Sequence, residues 1–235
     1  MRHDLRGVPV SSGSPAALER YETALKQFQT YVGDPVATID AALTESPDFV
    51  MGHLLKALAL FLQSEKQFVP ATEAALADAM RHEAGANDRE RALMHAVRRF
   101  LDGDWDDGCR RLDHVLVDHP RDALAVQAGH LMDFYRGDAL NLRNRVSRVL
   151  PHWDESVPGY SYLLGMHAFG LEEMNQYPEA EATARRALAL EPRDGWAVHA
   201  ATHVMEMQGR IDEGVAWLES RRDDWAPDNL FAYHN

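Results

Sequence analysis

The sequence is poor in several things, and each shortage narrows what it can be. It has one cysteine, Cys109, so no internal disulfide can form and a zinc–thiolate site of several cysteines is excluded. No stretch approaches the 18 or so uninterrupted apolar residues of a membrane span. The first residues, MRHDLRGVPVSSGSPAALERY, carry charges and prolines where a signal peptide needs an apolar run. Together these point to a soluble protein of a reducing compartment, and the cytoplasm is expected. Positive charge is also scarce. The formal net charge is -13, which repels phosphate backbones and anionic lipid. Arg143, Arg145, Arg148, Arg185 and Arg186 form no dense stripe interleaved with aromatics, so neither nucleic acid nor a membrane is expected as a partner. There is no glycine-rich phosphate loop, no G-x-S-x-G elbow and no C-x-x-C pair. Alternating Val/Ile runs and Asn-Gly hairpin turns are absent as well.

What is present is helical. YETALKQFQTY, FVMGHLLKALALFLQ, ATEAALADAMRH, AEATARRALAL and IDEGVAWLESRR all space their apolar residues at three- and four-residue steps. The helices also keep a beat. AALTESPDF (41–49), HVLVDHPRD (114–122) and ALALEPRDG (187–195) each end a helix and then reach a proline. Pro47, Pro120 and Pro192 stand 73 and 72 residues apart, and Pro227 follows after 35. A period of about 34 to 38 residues is that of tetratricopeptide helical hairpins. Setting the prolines in register gives units 16–49, 50–88, 89–122, 123–160, 161–194 and 195–228, a partial unit 229–235, and an extension over 1–15. In unit 161–194, Ala168 and Ala180 take the small positions where two helices touch, Tyr177 the turn aromatic and Ala187 the slot before the proline. Ala96, Gly108, Trp105 and Val115 take the same slots in unit 89–122; Thr202, Gly214, Ile211 and Arg221 take them in unit 195–228. DRERALMHAV and SVPGYSYLLG read as helix starts after longer connections. The expected fold is therefore all-α: one tetratricopeptide-like α-solenoid domain of about six hairpins in a right-handed superhelix.

In such arrays the first helix of each hairpin lines a concave groove through positions 2, 5, 9 and 12, which share one helical face. Unit 195–228 places Trp196, His199, His203 and Glu206 there; unit 161–194 places Tyr162, Gly165, Phe169 and Glu172. Earlier units offer mostly apolar groups: Met51, Leu54, Leu58 and Phe61; Leu93, Val97 and Phe100; Leu124, Gln127, Leu131 and Phe134. The ligand-binding groove is thus expected at Tyr162, Phe169, Glu172, Trp196, His199, His203 and Glu206. His199, His203 and Glu206 could together hold a divalent metal, with His167 or His234 completing the shell. The motif is not HExxH, since no glutamate lies between the histidines to act as a base. Adjacent Glu172 and Glu173 point about 100° apart on a helix, so a solvated face is expected there. His53, His95 and His130 read as core or groove residues, and Cys109 as a small buried hydrophobe.

The stretches 34–58, 118–153 and 165–218 and the final AYHN (232–235) resemble the tetratricopeptide-repeat protein 38 family, over nearly the full chain and in unbroken order. The most specific are the W-x2-H-x3-H-x2-E-M pattern from Trp196 to Met207 and the closing His-Asn pair. The resemblance implies a helical-repeat protein sharing His199, His203, Glu206, His234 and Asn235, without a settled biochemical activity. Family chains are about twice this long, so a truncated form or fragment is expected.

Two functions follow. The first is a binding scaffold whose groove receives a peptide, a partner protein or a small ligand with a basic or chelating group. That reading requires no cofactor and no catalysis. The alternative is a metal-dependent enzyme built on the His/His/Glu cluster. A homo-oligomer through the C-terminal edge is expected because Val215, Trp217 and Leu218 face no further hairpin.

Overall fold

The computed structural model describes residues 2–229 and 232. The chain is all-α apart from one small hairpin, with thirteen α-helices among the described residues. The first twelve run as α1 (Pro15–Thr30), α2 (Pro35–Glu45), α3 (Val50–Phe61), α4 (Val69–Arg81), α5 (Asp88–Leu101), α6 (Trp105–Asp118), α7 (Ala123–Tyr135), α8 (Ala139–Val149), α9 (Tyr160–Glu173), α10 (Tyr177–Leu190), α11 (Gly195–Met207) and α12 (Ile211–Ser220). A single turn, α13 (Arg222–Trp225), follows. No helix among the described residues is long and apolar enough to cross a membrane.

Contacts gather the chain into two compact units. One takes the chain up to Phe28 with Asp34–Met132; the other takes Gln29–Gly33 with the chain from Asp133 onward. In the first, α3 packs on α2 and α4, and α5 on α6. In the second, α9 packs on α8, α10 and α11, and α11 also on α10 and α12.

Recurrent local chemistry starts and stops these helices. Asp34, Asp104 and Asp138 each follow a glycine with positive φ (Gly33 85°, Gly103 82°, Gly137 67°). Each of the three then caps a helix, accepting from the backbone N–H of Ala37, Asp107 or Asn141. Glycine makes the tight turn and aspartate satisfies an N–H that the helix start leaves open. The Pro-Arg-Asp steps at 120–122 and 192–194 do the same work between hairpins. Proline closes one helix, and Asp122 or Asp194 accepts from Ala125 or Ala197 at the start of the next. Asn87 and Glu90 form a reciprocal capping box at α5.

The N-terminal hairpin has no counterpart in the sequence reading, which finds no strand there. β1 (Arg2–His3) and β2 (Pro9–Val10) pair antiparallel. Asp4 Oδ1 accepts from the N–H groups of Arg6 and Val8, and Gly7 adopts φ 79°. Aspartate and glycine close the turn through the local geometry they favour. Arg6 then joins Asp4 to Glu22 on α1, and Val8 and Val10 are buried.

Small residues sit where helices meet. A Cβ on Gly108 of α6 would lie 2.3 Å from the Phe100 ring on α5, and one on Gly170 of α9 would lie 2.6 Å from Arg143 Cα on α8. Ala168, Ala180, Ala184 and Ala187 are fully buried between α9 and its neighbours. Cys109 is buried on α6, as its composition suggested.

Candidate functional site

The site belongs to the second compact unit and rests on α9 and α11. Nearly every side chain of α9 is buried, as suits a helix enclosed by three others. Its two glycines make close approach feasible: Gly170 meets the backbone of α8, and Gly165 meets the Asp194 carboxyl that caps α11. That cap fixes where α11 begins. Trp196, His199 and His203, spaced three and four apart, therefore share one face against α9.

On that face the rings form a continuous stack. Phe169 lies 4.9 Å from Trp196, 5.3 Å from His199 and 6.1 Å from His203, centroid to centroid. His199 and His203 are 4.1 Å apart. Phe134, 45% exposed, tilts against Phe169 at 5.8 Å. The Trp196 indole N–H donates to the Tyr31 hydroxyl at 3.1 Å, so its polar edge is satisfied inside the unit.

A carboxylate pair closes the end of the stack. His203 Nδ1 lies 3.5 Å from Glu172 Oε2. One oxygen each from Glu172 and Glu173 and one ring nitrogen of His203 lie within 4.8 Å of one another. Glu172 is only 5% exposed, while Glu173 is exposed and the His203 side chain is 31% exposed. The pairing with Glu172 holds the His203 imidazolium above its ordinary range against the opposing effect of burial, with Glu206 and Glu173 adding to it. Burial, then the neighbouring Glu172, push the Glu173 carboxyl up.

Of the seven side chains singled out in the sequence, Tyr162, Phe169, Glu172, Trp196 and His199 are buried, His203 is half-buried and Glu206 is exposed. His203 and Glu173 are thus more accessible than Glu172 and the rings of Phe169, Trp196 and His199. Glu206 shares the helix with His203 but lies outside the three-group cluster among the described residues. Tyr162 points to the α10–α11 connection, where its hydroxyl donates to Glu191 at 3.4 Å, and burial raises its pKa. His167 lies 3.0 Å from Ser147 Oγ on α8, and burial and Arg143 push its pKa down. His234 and Asn235 lie outside the described residues.

Two expectations need correcting. Glu172 is not on a solvated face: adjacent glutamates leave the helix about 100° apart, but three rotatable bonds let their oxygens converge beside His203. His95 is exposed on α5, unlike His53 and His130, which are buried.

No protein-family model matches the chain. The residue that sequence reasoning left out is Tyr31, which lies 165 positions from Trp196 and is signalled by no local pattern. A pairing of the histidines with Glu172 and Glu173 is one reading the sequence allows, and both carboxylates do lie beside His203.

Proposed function

We propose that this protein is a tetratricopeptide-like binding scaffold related to the tetratricopeptide-repeat protein 38 family. Its recognition surface is the exposed end of the α9–α11 face: His203, Glu173, buried Glu172 behind them, and Phe134 beside the stack. The paired helices and the W-x2-H-x3-H-x2-E-M pattern support the family reading. The observation that carries the function is the Glu172 carboxylate. It is buried, and its Oε2 makes no hydrogen bond among the described residues. Its one cationic neighbour in the cluster is the half-buried His203 at 3.5 Å, shared with Glu173, so the pair of carboxylates can take a further cation from the exposed Glu173 side. A ligand presenting a basic side chain next to an apolar one fits this surface: the charge meets the carboxylates and the apolar neighbour covers Phe134.

A displayed library of random dodecapeptides, selected on the tag-free protein, tests this. Sequences with Lys or Arg beside an apolar residue are expected to enrich, and Glu173→Lys should weaken the best of them by about tenfold or more, as charge reversal at a contact does. Failure to enrich any such sequence, or affinities unmoved by the reversal, would refute the reading.

Self-association is the second part of the proposal. Met207, Ile211 and Val215 are each more than half exposed on α11 and α12, an apolar edge suited to a second copy. Trp217 is not part of it, because the guanidinium groups of Arg185 and Arg221 cover its ring. A monomeric mass in light scattering across the micromolar range would overturn it.

A further inference from the structure

We infer that Glu172, Glu173 and His203 form a binding site for a divalent transition-metal ion. The inference rests on the reading of the α9–α11 end as a cation-recognising surface and names a divalent ion as an occupant that competes with a basic side chain for the same carboxylates.

The geometry is that of a site one small adjustment from closed. Around an ion with bonds of about 2.1 Å, neighbouring ligand atoms lie roughly 3.0–3.4 Å apart. Here the three ligand atoms already lie within 4.8 Å of one another, and His203 Nδ1 and Glu172 Oε2 are at 3.5 Å. Rotations of the exposed Glu173 side chain supply the rest.

Charge gives the second argument. Glu172 and Glu173 are the last two residues of α9. The C-terminal end of a helix carries a partial negative charge, which repels carboxylates placed there. Two carboxylates, one of them buried with an oxygen free of hydrogen bonds, thus converge on the negative end of a helix. The one imidazole in the group, His203, lies 3.5 Å from Glu172, and a single ring balances at most one of two carboxylate charges. A divalent ion balances both and takes the ring as a neutral ligand.

The donor set selects the ion. Two carboxylate oxygens and one imidazole nitrogen suit zinc, manganese(II) or iron(II). Calcium and magnesium prefer all-oxygen shells, and copper(I) prefers sulfur. His199, stacked on His203 and buried, holds the ligand ring in place and acts as a positioning residue. The site is therefore not the His199, His203 and Glu206 set that helical spacing suggests. It spans two helices, and its open positions face solvent on the Glu173 side.

Calorimetric titration of chelator-stripped, tag-free protein with zinc and with manganese(II) tests the assignment, with calcium and magnesium alongside. One zinc or manganese ion per chain is expected, with calcium and magnesium at least tenfold weaker. Glu172→Gln, Glu173→Gln and His203→Ala should each weaken the site about tenfold or more. Glu173 is exposed, so its variant remains informative even where Glu172→Gln disturbs folding. His95→Ala removes an exposed imidazole elsewhere and should leave the titration unchanged. Absence of zinc and manganese binding overturns the proposal, as does binding that survives Glu173→Gln and His203→Ala. A loss with Glu206→Gln equal to that with Glu173→Gln overturns it in favour of the single-helix set. Peptide enrichment on a protein that binds no ion would sink the metal site and leave the scaffold standing. An ion bound through these three residues without any peptide would do the reverse.

Discussion

Replacing Asp194 with asparagine should make the protein more stable at pH 8 than at pH 5 relative to wild type. Asp194 caps α11 and is 1% exposed. Its equivalent between hairpins in the first compact unit, Asp122, is just as buried but pairs with Arg89 at 2.7 Å. In the repeat register the position of Arg89 is held by Ser161, which has no charge to offer. Asp194 Oδ2 accordingly has no hydrogen-bond partner among the described residues. Burial pushes its carboxyl up to about 7, against the backbone N–H of Ala197 that favours the charged form, with Glu191 adding to the rise.

The sign and size follow from proton counting. An unfolded aspartate titrates near pH 3.9. Between about pH 4 and pH 7 the native state holds one proton more than the unfolded state, so stability falls as pH rises through that window. The slope is about 1.4 kcal/mol per pH unit, on the order of 4 kcal/mol over the whole interval as an upper bound. Asparagine caps as well as aspartate and carries no charge, so the variant lacks this slope. Any cost of its extra N–H groups is independent of pH. Urea unfolding at pH 5 and pH 8, followed by fluorescence, reads the difference. Four of the five tryptophans (Trp153, Trp196, Trp217 and Trp225) lie in the unit that holds Asp194, so the signal reports the right part. Histidine titration is common to both proteins and cancels. The variant should gain on the order of 2 kcal/mol on wild type between the two pH values. An unchanged difference would refute the claim that Asp194 is an uncompensated buried acid.

Two further outcomes test the packing that positions the site. Gly170→Ala should cost roughly 2–3 kcal/mol in urea unfolding, because its Cβ would press on the Arg143 backbone rather than on a movable side chain; a neutral result would mean that α8 and α9 are not locked there. Arg145→Met leaves the buried Asp133 carboxylate only its longer contact with Arg136 at 3.8 Å and should cost up to about 3–5 kcal/mol, most of it recovered in the Arg145→Met/Asp133→Leu double variant; a double variant no more stable than the single one would show that the ion pair is not the source of the loss.

The helices were legible because their signals are local. Apolar periodicity and the prolines at 47, 120 and 192 both act within a few residues, and α2, α6 and α10 end just before those prolines. The Gly-Asp turns and Pro-Arg-Asp caps were equally local and went unread, although they mark helix starts more sharply than the small-residue register does. The hairpin at residues 2–10 was not legible from alternation, since its strands are two residues long and its stability comes from Asp4, Arg6 and Glu22.

The site was legible only in part, for a geometric reason. Spacing tells which side chains share a face of one helix, and it correctly aligned Trp196, His199 and His203. It says nothing of what another helix brings to that face. By spacing alone Glu206 is as good a neighbour of His203 as any, yet it stands exposed, while Glu172 arrives from 31 positions away. What decides between them is the close approach of the α11 cap to Gly165, which sets how far along α9 the second histidine falls. A pattern confined to one helix therefore names the ring nitrogen, and the packing of two helices names the carboxylates that meet it.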